Sequence, residues 1–481
     1  MAVPRRGLRR TLAALLAAFS LSGTLAGCTV GPDYRPPAGT LSNFHNIKAV
    51  ADRASSQPAP PLDRWWIGFH DPELSTIITR VLEQNLDIQA ALERAAQARA
   101  VAGSAGADLL PALDATAQGL AERQSLESPI GALGSTMPGY SRNATLYDAG
   151  AGASWEIDLS GGLRRGEEAA QAEARVAEAL QLGVRVSVAA DAADAYFQAR
   201  SSQARLEITA QQIATCSRML DLTRMQKANG MATESDVAKS EALLAQTQSA
   251  VPPLRIALEA QLNRLDVLMG AQPGTYAAEL ATPAAIPDIP AMPVENADLL
   301  RRRPDVIAAE RKLATANARI GAAVSGYYPE LSLSGLLGYE SQGPSRLFMA
   351  TTFQPEAVAG LRWRIFDFGK VDAEVAAADA ATREALADYR LTLLHAAEDV
   401  ENSCMSLVQS EARKKDVTNR IHALATSRDN AQDAFHAGMI PLTDVLGLDR
   451  QLLAAEEELP RAQAGTARAA VSLFRSLGGG W

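Results

Sequence analysis

Only 5% of the residues in this 481-residue chain are aromatic, three are cysteines and five are histidines. Few aromatics beside 47% apolar residues, mostly Ala, Leu and Val, favour long, closely packed helices over a broad globular core. His45, His70, His395, His422 and His436 are scattered, without cysteine or carboxylate partners at ligand spacing, so no metal site is read. No nucleophile elbow, phosphate loop or zinc-binding helix occurs, so no catalytic residue is named and an enzyme is not expected. The net charge of −9 and the lack of a dense basic cluster after the first residues argue against a nucleic-acid partner.

What is present begins with a targeting segment, residues 1–27. Arg5, Arg6, Arg9 and Arg10 precede an apolar run, Leu12 to Phe19, too short to cross a bilayer as a helix. Leu25-Ala26-Gly27-Cys28 resembles a bacterial lipobox, which implies cleavage before Cys28 and a lipid attached to it, with no other cofactor. Thr29 stands where an Asp would retain such a lipoprotein in the inner membrane, so the resemblance implies the outer membrane. An ordinary secretory signal with a chance cysteine is the alternative. A Pro-rich stretch follows, and residues 28–63 read as an extended tether.

Beyond it the chain repeats itself at a constant offset of 208 residues (438 − 230). Gly230-Met231 and Asp236-Val237 return as Gly438-Met439 and Asp444-Val445, and Pro252 returns as Pro460. Such a duplication divides the chain into repeat 1 (64–297) and repeat 2 (298–481). In repeat 1 a helical pattern runs from Trp65-Trp66 to Ala107 before the period changes, and in both repeats period-two alternation, as in Ala149 to Leu159 and Ala357 to Phe368, marks strands with one apolar and one polar face. Strands are expected at about 111–121, 145–159, 329–340 and 355–368. Helical hairpins are expected at about 163–270 and 370–478, with first helices of roughly 66 residues, or about 100 Å. Seams such as Leu386, Leu393, Val400 and Leu407, or Ala192, Ala199, Leu206, Ile213 and Leu220, recur every seven residues. Cys216 and Cys404 precede their repeats' glycines by different distances and would sit roughly 30 Å apart on aligned hairpins. They read as packing residues.

Four strands cannot close a transmembrane barrel, because eight is the usual minimum and open edges are forbidden in lipid. Two copies would give eight strands with a filled interior, and three would give 12 with room for a channel. The polar strand face favours the trimer.

The residues at this point resemble a known family. Cys28 to Tyr34, Trp65-Trp66, Asp71-Pro72-Glu73-Leu74 and Ser154 to Leu159 are similar to NodT-type outer-membrane efflux lipoproteins. So are Leu300 to Val306, Ile365 to Lys370 and the C-terminal Leu477-Gly478-Gly479-Gly480-Trp481. The resemblance implies a mainly α chain with a β-barrel part, forming a TolC-like homotrimeric duct. Its barrel would stand among outer-membrane lipid above a helical barrel crossing the periplasm. It also implies two partners, a periplasmic adaptor (membrane fusion) protein and an inner-membrane pump of the resistance-nodulation-division class. The duct would export small molecules such as drugs, solvents or metal ions. A type I protein secretion duct and a pore-less periplasmic coiled-coil scaffold are the other readings.

By that resemblance, Gly230, Met231 and Thr233 with Gly438, Met439 and Pro441 would meet the adaptor at the periplasmic tips, though each glycine also suits a left-handed helix cap. Asp236 and Asp444 lie just inside the following helices and would form a ring of six carboxylates at the gate. Thr233-Glu234-Ser235-Asp236 equally reads as a capping box. Family members often carry an acid where Gly447 stands, so Asp449 and Arg450 join the gate candidates. Glu156, Asp158, Arg362 and Arg364 fall on the polar strand face and are expected in the barrel lumen as solvated wall. Arg301 to Asp305 reads as an internal brace between repeats.

Overall fold

In the computed structural model, which describes residues 29–37, 44–51, 59–292 and 297–481, the period-two stretches form one antiparallel sheet ordered β1-β2-β3-β4. The strands are β1 (Ala112–Arg123), β2 (Asn143–Ile157), β3 (Glu330–Ser341) and β4 (Phe353–Arg362). The helices used below are α1 (Pro72–Gln84), α2 (Leu86–Ala107), α3 (Gly162–Ala228), α4 (Glu234–Ser249), α5 (Val251–Leu268), α6 (Pro304–Ser325), α7 (Lys370–His436) and α8 (Leu442–Ser476). The signal segment 1–27, Cys28 and part of the tether lie outside the described residues.

The chain divides into two compact units. One contains Ala96–Arg175 and Glu310–Ala387 with the residues up to Pro37, and the other contains Ala38–Ala95, Val176–Ala309 and Asp388–Trp481. Within the first, the registers put Ala115, Ala151, Leu337 and Pro355 in one row and Asp114, Gly152, Leu336 and Glu356 in the next. Because side chains alternate across a strand, whole faces follow from these rows. Trp155 and Trp363 each tie a strand end down: their indole N–H groups donate to the carbonyls of Leu109 (2.9 Å) and Tyr327 (3.0 Å).

The fourth strand is shorter than its alternation suggests, ending at Arg362 rather than near 368. The Asp367 carboxylate accepts the amides of Gly369 and Val371, both at 3.0 Å, and so organises the start of α7. Phe368 and Gly369 consequently turn into left-handed conformations, at φ 57° and 81°. A local side-chain cap thus overrides an alternating pattern that continues through Ile365.

The second unit is mostly helical. Trp65 stacks on Phe474 at 5.4 Å and Phe69 packs on Phe197 at 5.2 Å, all four rings being buried. Asp71 links this core to α1: one carboxylate oxygen accepts the Glu73 and Leu74 amides at 3.0 and 3.1 Å, and the other accepts the Tyr196 hydroxyl at 2.7 Å. Arg200, 1% exposed, pairs with Glu73, donates to the Thr282 carbonyl (2.6 Å) and lies over the Tyr196 ring. Of the heptad seams, Ala192, Ala199, Leu220, Val400 and Leu407 are buried, while Leu206, Ile213, Leu386 and Leu393 are half-buried. Cys216 and Cys404 are free and buried, and burial pushes the Cys404 thiol up to about 11.

The 208-residue offset holds in the backbone. The helices α3 and α7 have 67 residues each and start and stop at matching positions. Both end in a Schellman turn on a left-handed glycine. Gly230 donates to Lys227 and Met231 to Gln226, both at 2.9 Å, while Gly438 donates to Phe435 (2.9 Å) and Met439 to Ala434 (2.8 Å). The return helices differ. α8 runs 35 residues with Pro460 inside it, whereas α4 and α5 part at Ala250, just before Pro252-Pro253. Two adjacent prolines remove two backbone donors, and one removes only one.

Asp71→Ala should destabilise the second unit by about 2 kcal/mol or more, since it removes a helix cap and strands a buried hydroxyl. Asp71→Asn, which keeps the cap, should cost less. Thermal unfolding of the detergent-solubilised variants measures the difference, and equal losses would refute the capping account.

Candidate functional site

The sheet has two chemically opposite faces. One carries Leu113, Ala117, Ala151, Ala153, Trp155, Leu333, Leu337, Ala359 and Leu361. The other carries Asp114, Glu122, Asp148, Glu156, Glu330, Glu340 and Glu356, with Arg362 as its lone strand cation. Glu330 and Arg362 stand opposite one another and form an ion pair. Of the lumen candidates, Glu156 and Arg362 lie on this polar face. Asp158 and Arg364 fall beyond the strand ends. Asp158, its side chain 10% exposed, holds Arg164 through its backbone N–H (3.0 Å) and Nε (3.1 Å) at the start of α3, so it belongs to the strand–helix junction. Alternation alone sets Asp114 and Asp148 on the polar sides of their own strands, but that the acids of all four strands share one face depends on strand-to-strand register, which is not local information.

The described tether begins beside that junction. Residues 29–34 are bound rather than loose. Val30 donates to the Ser160 carbonyl at 2.9 Å, and Asn317 reaches the Pro32 carbonyl at 2.9 Å. Arg165, 5% exposed, spreads its guanidinium over the carbonyls of Val30 (3.1 Å) and Gly31 (3.3 Å) and the carboxylates of Asp33 (2.7 Å) and Glu168 (2.8 Å). Gly31, at φ 86°, passes so close to Gly321 that a Cβ would sit 2.4 Å from its Cα. This strap holds Thr29, the neighbour of Cys28, against Gly161, a few residues past the end of β2.

At the hairpin ends, nothing lies within 4 Å of a Cβ built on Gly230 or Gly438, and Met231 and Met439 are 71% and 72% exposed. The tips are open and unequal. Thr233 and Asp236 form a complete capping box, and the Thr233 hydroxyl and amide hold the Asp236 carboxyl below its ordinary value. Pro441 precedes α8 without any side-chain cap. Leu442, Val445 and Leu446 instead bury themselves against Met219, Leu243 and Phe435.

The gate candidates separate. Asp236 is committed to its cap, whereas Asp444 and Arg450 are exposed. Asp449, 12% exposed, borders a cavity of about 430 Å³ between α3, α4, α7 and α8, with Arg428 at 3.7 Å. It therefore faces its own hairpins. Burial pushes its pKa up; Arg428 pulls it down, and Asp429, which holds Arg428 at 2.8 Å, pushes it up further. Arg303, from the proposed brace, donates to Asp399 (2.8 Å) and to the Ala396 and Ser476 carbonyls, ties made within repeat 2. The contact with repeat 1 is made by Pro304, which lies over Gly183, and one turn further on by Ile307 and Ala308, which pack on Val176 and Ala179.

An amphipathic strand sheet joined to paired helical hairpins defines a channel protein of the TolC-like class. The model of the outer membrane efflux protein family matches residues 77–271 and 297–479. The chain belongs to that family and is an outer-membrane protein. It is similar to the pyoverdine export outer membrane protein OpmQ of Pseudomonas putida, with 29% identity over 93% of this chain and 92% of that protein. Nodulation protein T of Rhizobium leguminosarum bv. trifolii is 28% identical over 96% of each chain. The solved outer-membrane channel OprN superposes with a TM-score of 0.85 at 31% identity, covering 94% of this chain and all of that one.

Two outcomes follow. Since Asp449 has its folded pKa raised above the unfolded value of about 3.9, its contribution to stability is complete below that pH and is lost as pH rises through the folded value. Asp449→Asn should therefore stabilise the hairpin at pH 7 and change little near pH 3.5. Hydrogen exchange of α8 at the two pH values reads this, and equal effects would refute it. Arg165→Ala should speed amide exchange at Val30 roughly tenfold or more, because it removes charged hydrogen bonds from the strap. Unchanged protection would mean that the strap is held elsewhere.

Proposed function

We propose that three copies of this chain close a shared 12-stranded barrel and conduct small molecules out of the cell. A periplasmic adaptor and an inner-membrane pump of the resistance-nodulation-division class would deliver them. The observation that carries this reading is the four-stranded sheet itself, amphipathic and open at both edges. A single such sheet cannot rest in hydrocarbon, and three copies make the smallest closed barrel with space for a channel. The chain supplies passage and not chemistry, so pump and adaptor would select the cargo. Relatives named for pyoverdine, solvent and toluene export support organic molecules of low mass as the substrate class.

Cys28 would carry lipid where the bound strap ends, next to the strand–helix junction, so the acyl chains enter the membrane beside the barrel wall. Gly230, Met231 and Thr233 on one tip and Gly438, Met439 and Pro441 on the other would meet the adaptor. The gate assignment narrows to Asp444 and Arg450, both exposed and free to face neighbouring copies.

Deleting the gene in a strain without redundant ducts should raise sensitivity to some members of a panel of antibiotics, bile salts, dyes, solvents and metal salts. Planar-bilayer recordings of the purified protein should show a small resting conductance that Asp444→Ala enlarges severalfold. Unchanged sensitivity across the panel would overturn the efflux role, and an unchanged conductance would remove Asp444 from the gate.

A further inference from the structure

The strand registers carry information beyond one chain, because the sheet is staggered. Moving straight across it from Ala112 leads to Ser154, Ser334 and Val358, although β4 continues to Arg362. At the other end Phe353, the first residue of β4, lies level with Ala117, although β1 continues to Arg123. The sheet therefore slips about five residues along the strand direction over three strand-to-strand steps, and one further step would bring the slip close to seven.

The free edge of β4 and the free edge of β1 are antiparallel and hold unpaired backbone groups that hydrocarbon would not solvate. On the reading that copies share one barrel, each is completed by the other edge of a second copy. The slip on that closing step must be even, or the polar face of one copy would continue as the apolar face of the next. Six and eight are the nearest even values, four the next. With a strand rise of about 3.3 Å and a spacing of about 4.8 Å, a slip of four, six or eight per copy tilts the 12 strands by about 35°, 46° or 54°. A slip of eight is too steep for a barrel of this kind, whose strands tilt by roughly 35–45°. A slip of four departs from the stagger that the chain already has. It would also leave Arg362 opposite Ala112.

We propose that β4 pairs with β1 of a second copy of this chain with Arg362 opposite Asp114, Ala359 opposite Ala117 and Phe353 opposite Arg123. This register uses every residue of β4. It also sets the polar face's lone strand cation between Glu330 of its own chain and Asp114 of the next, so each junction is closed by a carboxylate–guanidinium–carboxylate bridge. Phe353 and Arg123 meet at the opposite end of the junction, where the aromatic ring can lie under the guanidinium.

Cysteine pairs test the register in the full chain, expressed in outer membranes. Opposed residues of an antiparallel pair lie about 4.5–5.5 Å apart at Cα, within disulfide reach, while a mismatch of two residues exceeds about 7 Å. Ala117→Cys with Ala359→Cys should, on mild oxidation, give covalent dimers and trimers on denaturing gels that collapse on reduction. Ala115→Cys with Leu361→Cys repeats the test two residues along the strand. Ala115→Cys with Ala359→Cys reports a slip of four, and Gly119→Cys with Ala359→Cys a slip of eight. Stronger crosslinking in either of these would overturn the register and leave the shared barrel standing. Silence from all four pairs would overturn both, provided the protein reaches the membrane.

Discussion

Unpaired backbone is tolerable in water and prohibitive in hydrocarbon, and most features of this chain can be traced to that asymmetry. Helices satisfy their own N–H and C=O groups, so the hairpins can exist within one chain at almost any length. Strands satisfy each other, so four of them leave two edges owed a partner. At the helix-bearing end of the sheet the strands are also tied locally. Trp155, Trp363, Asp158 and Asp367 all spend their polar atoms on backbone or side-chain groups where the sheet stops and a helix starts.

Sequence periodicity revealed a large part of this, because the relevant signals are local and repeated. The strands fall where apolar and polar residues alternate, and the ends of α3 and α7 coincide with the duplicated glycines. The illegible parts depend on long-range geometry. The alternation through Ile365 looks like strand until Asp367 caps the next helix. Asp449 sits beside Arg450 in sequence, yet one faces a cavity with Arg428 while the other faces solvent. Nor could spacing alone reveal that the acids of four strands share a face, since register joins residues such as Asp148 and Glu340 across nearly two hundred positions.

Duplication also supplied an internal comparison. Matching glycines keep the same Schellman geometry in both copies, so the turn is set by backbone conformation. The segments after the turn have separated in character. Thr233 and Asp236 exchange hydrogen bonds at the start of α4, whereas Leu442, Val445 and Leu446 anchor α8 by burial. Pro252-Pro253 breaks one return helix, and Pro460 only interrupts the other. Equivalent frames have been stabilised by different forces.

The Schellman turns have a consequence for adaptability. A loop whose shape depends on one glycine and two backbone hydrogen bonds asks little of the side chains around it. Met231 and Met439 project from such turns without packing obligations, and methionine is a flexible, polarizable side chain that moulds to varied surfaces. Mutations can therefore accumulate at either apex without unfolding the hairpin behind it. The two copies of that apex in each chain can drift apart independently, so one can be retuned towards a new partner while its duplicate preserves the old fit.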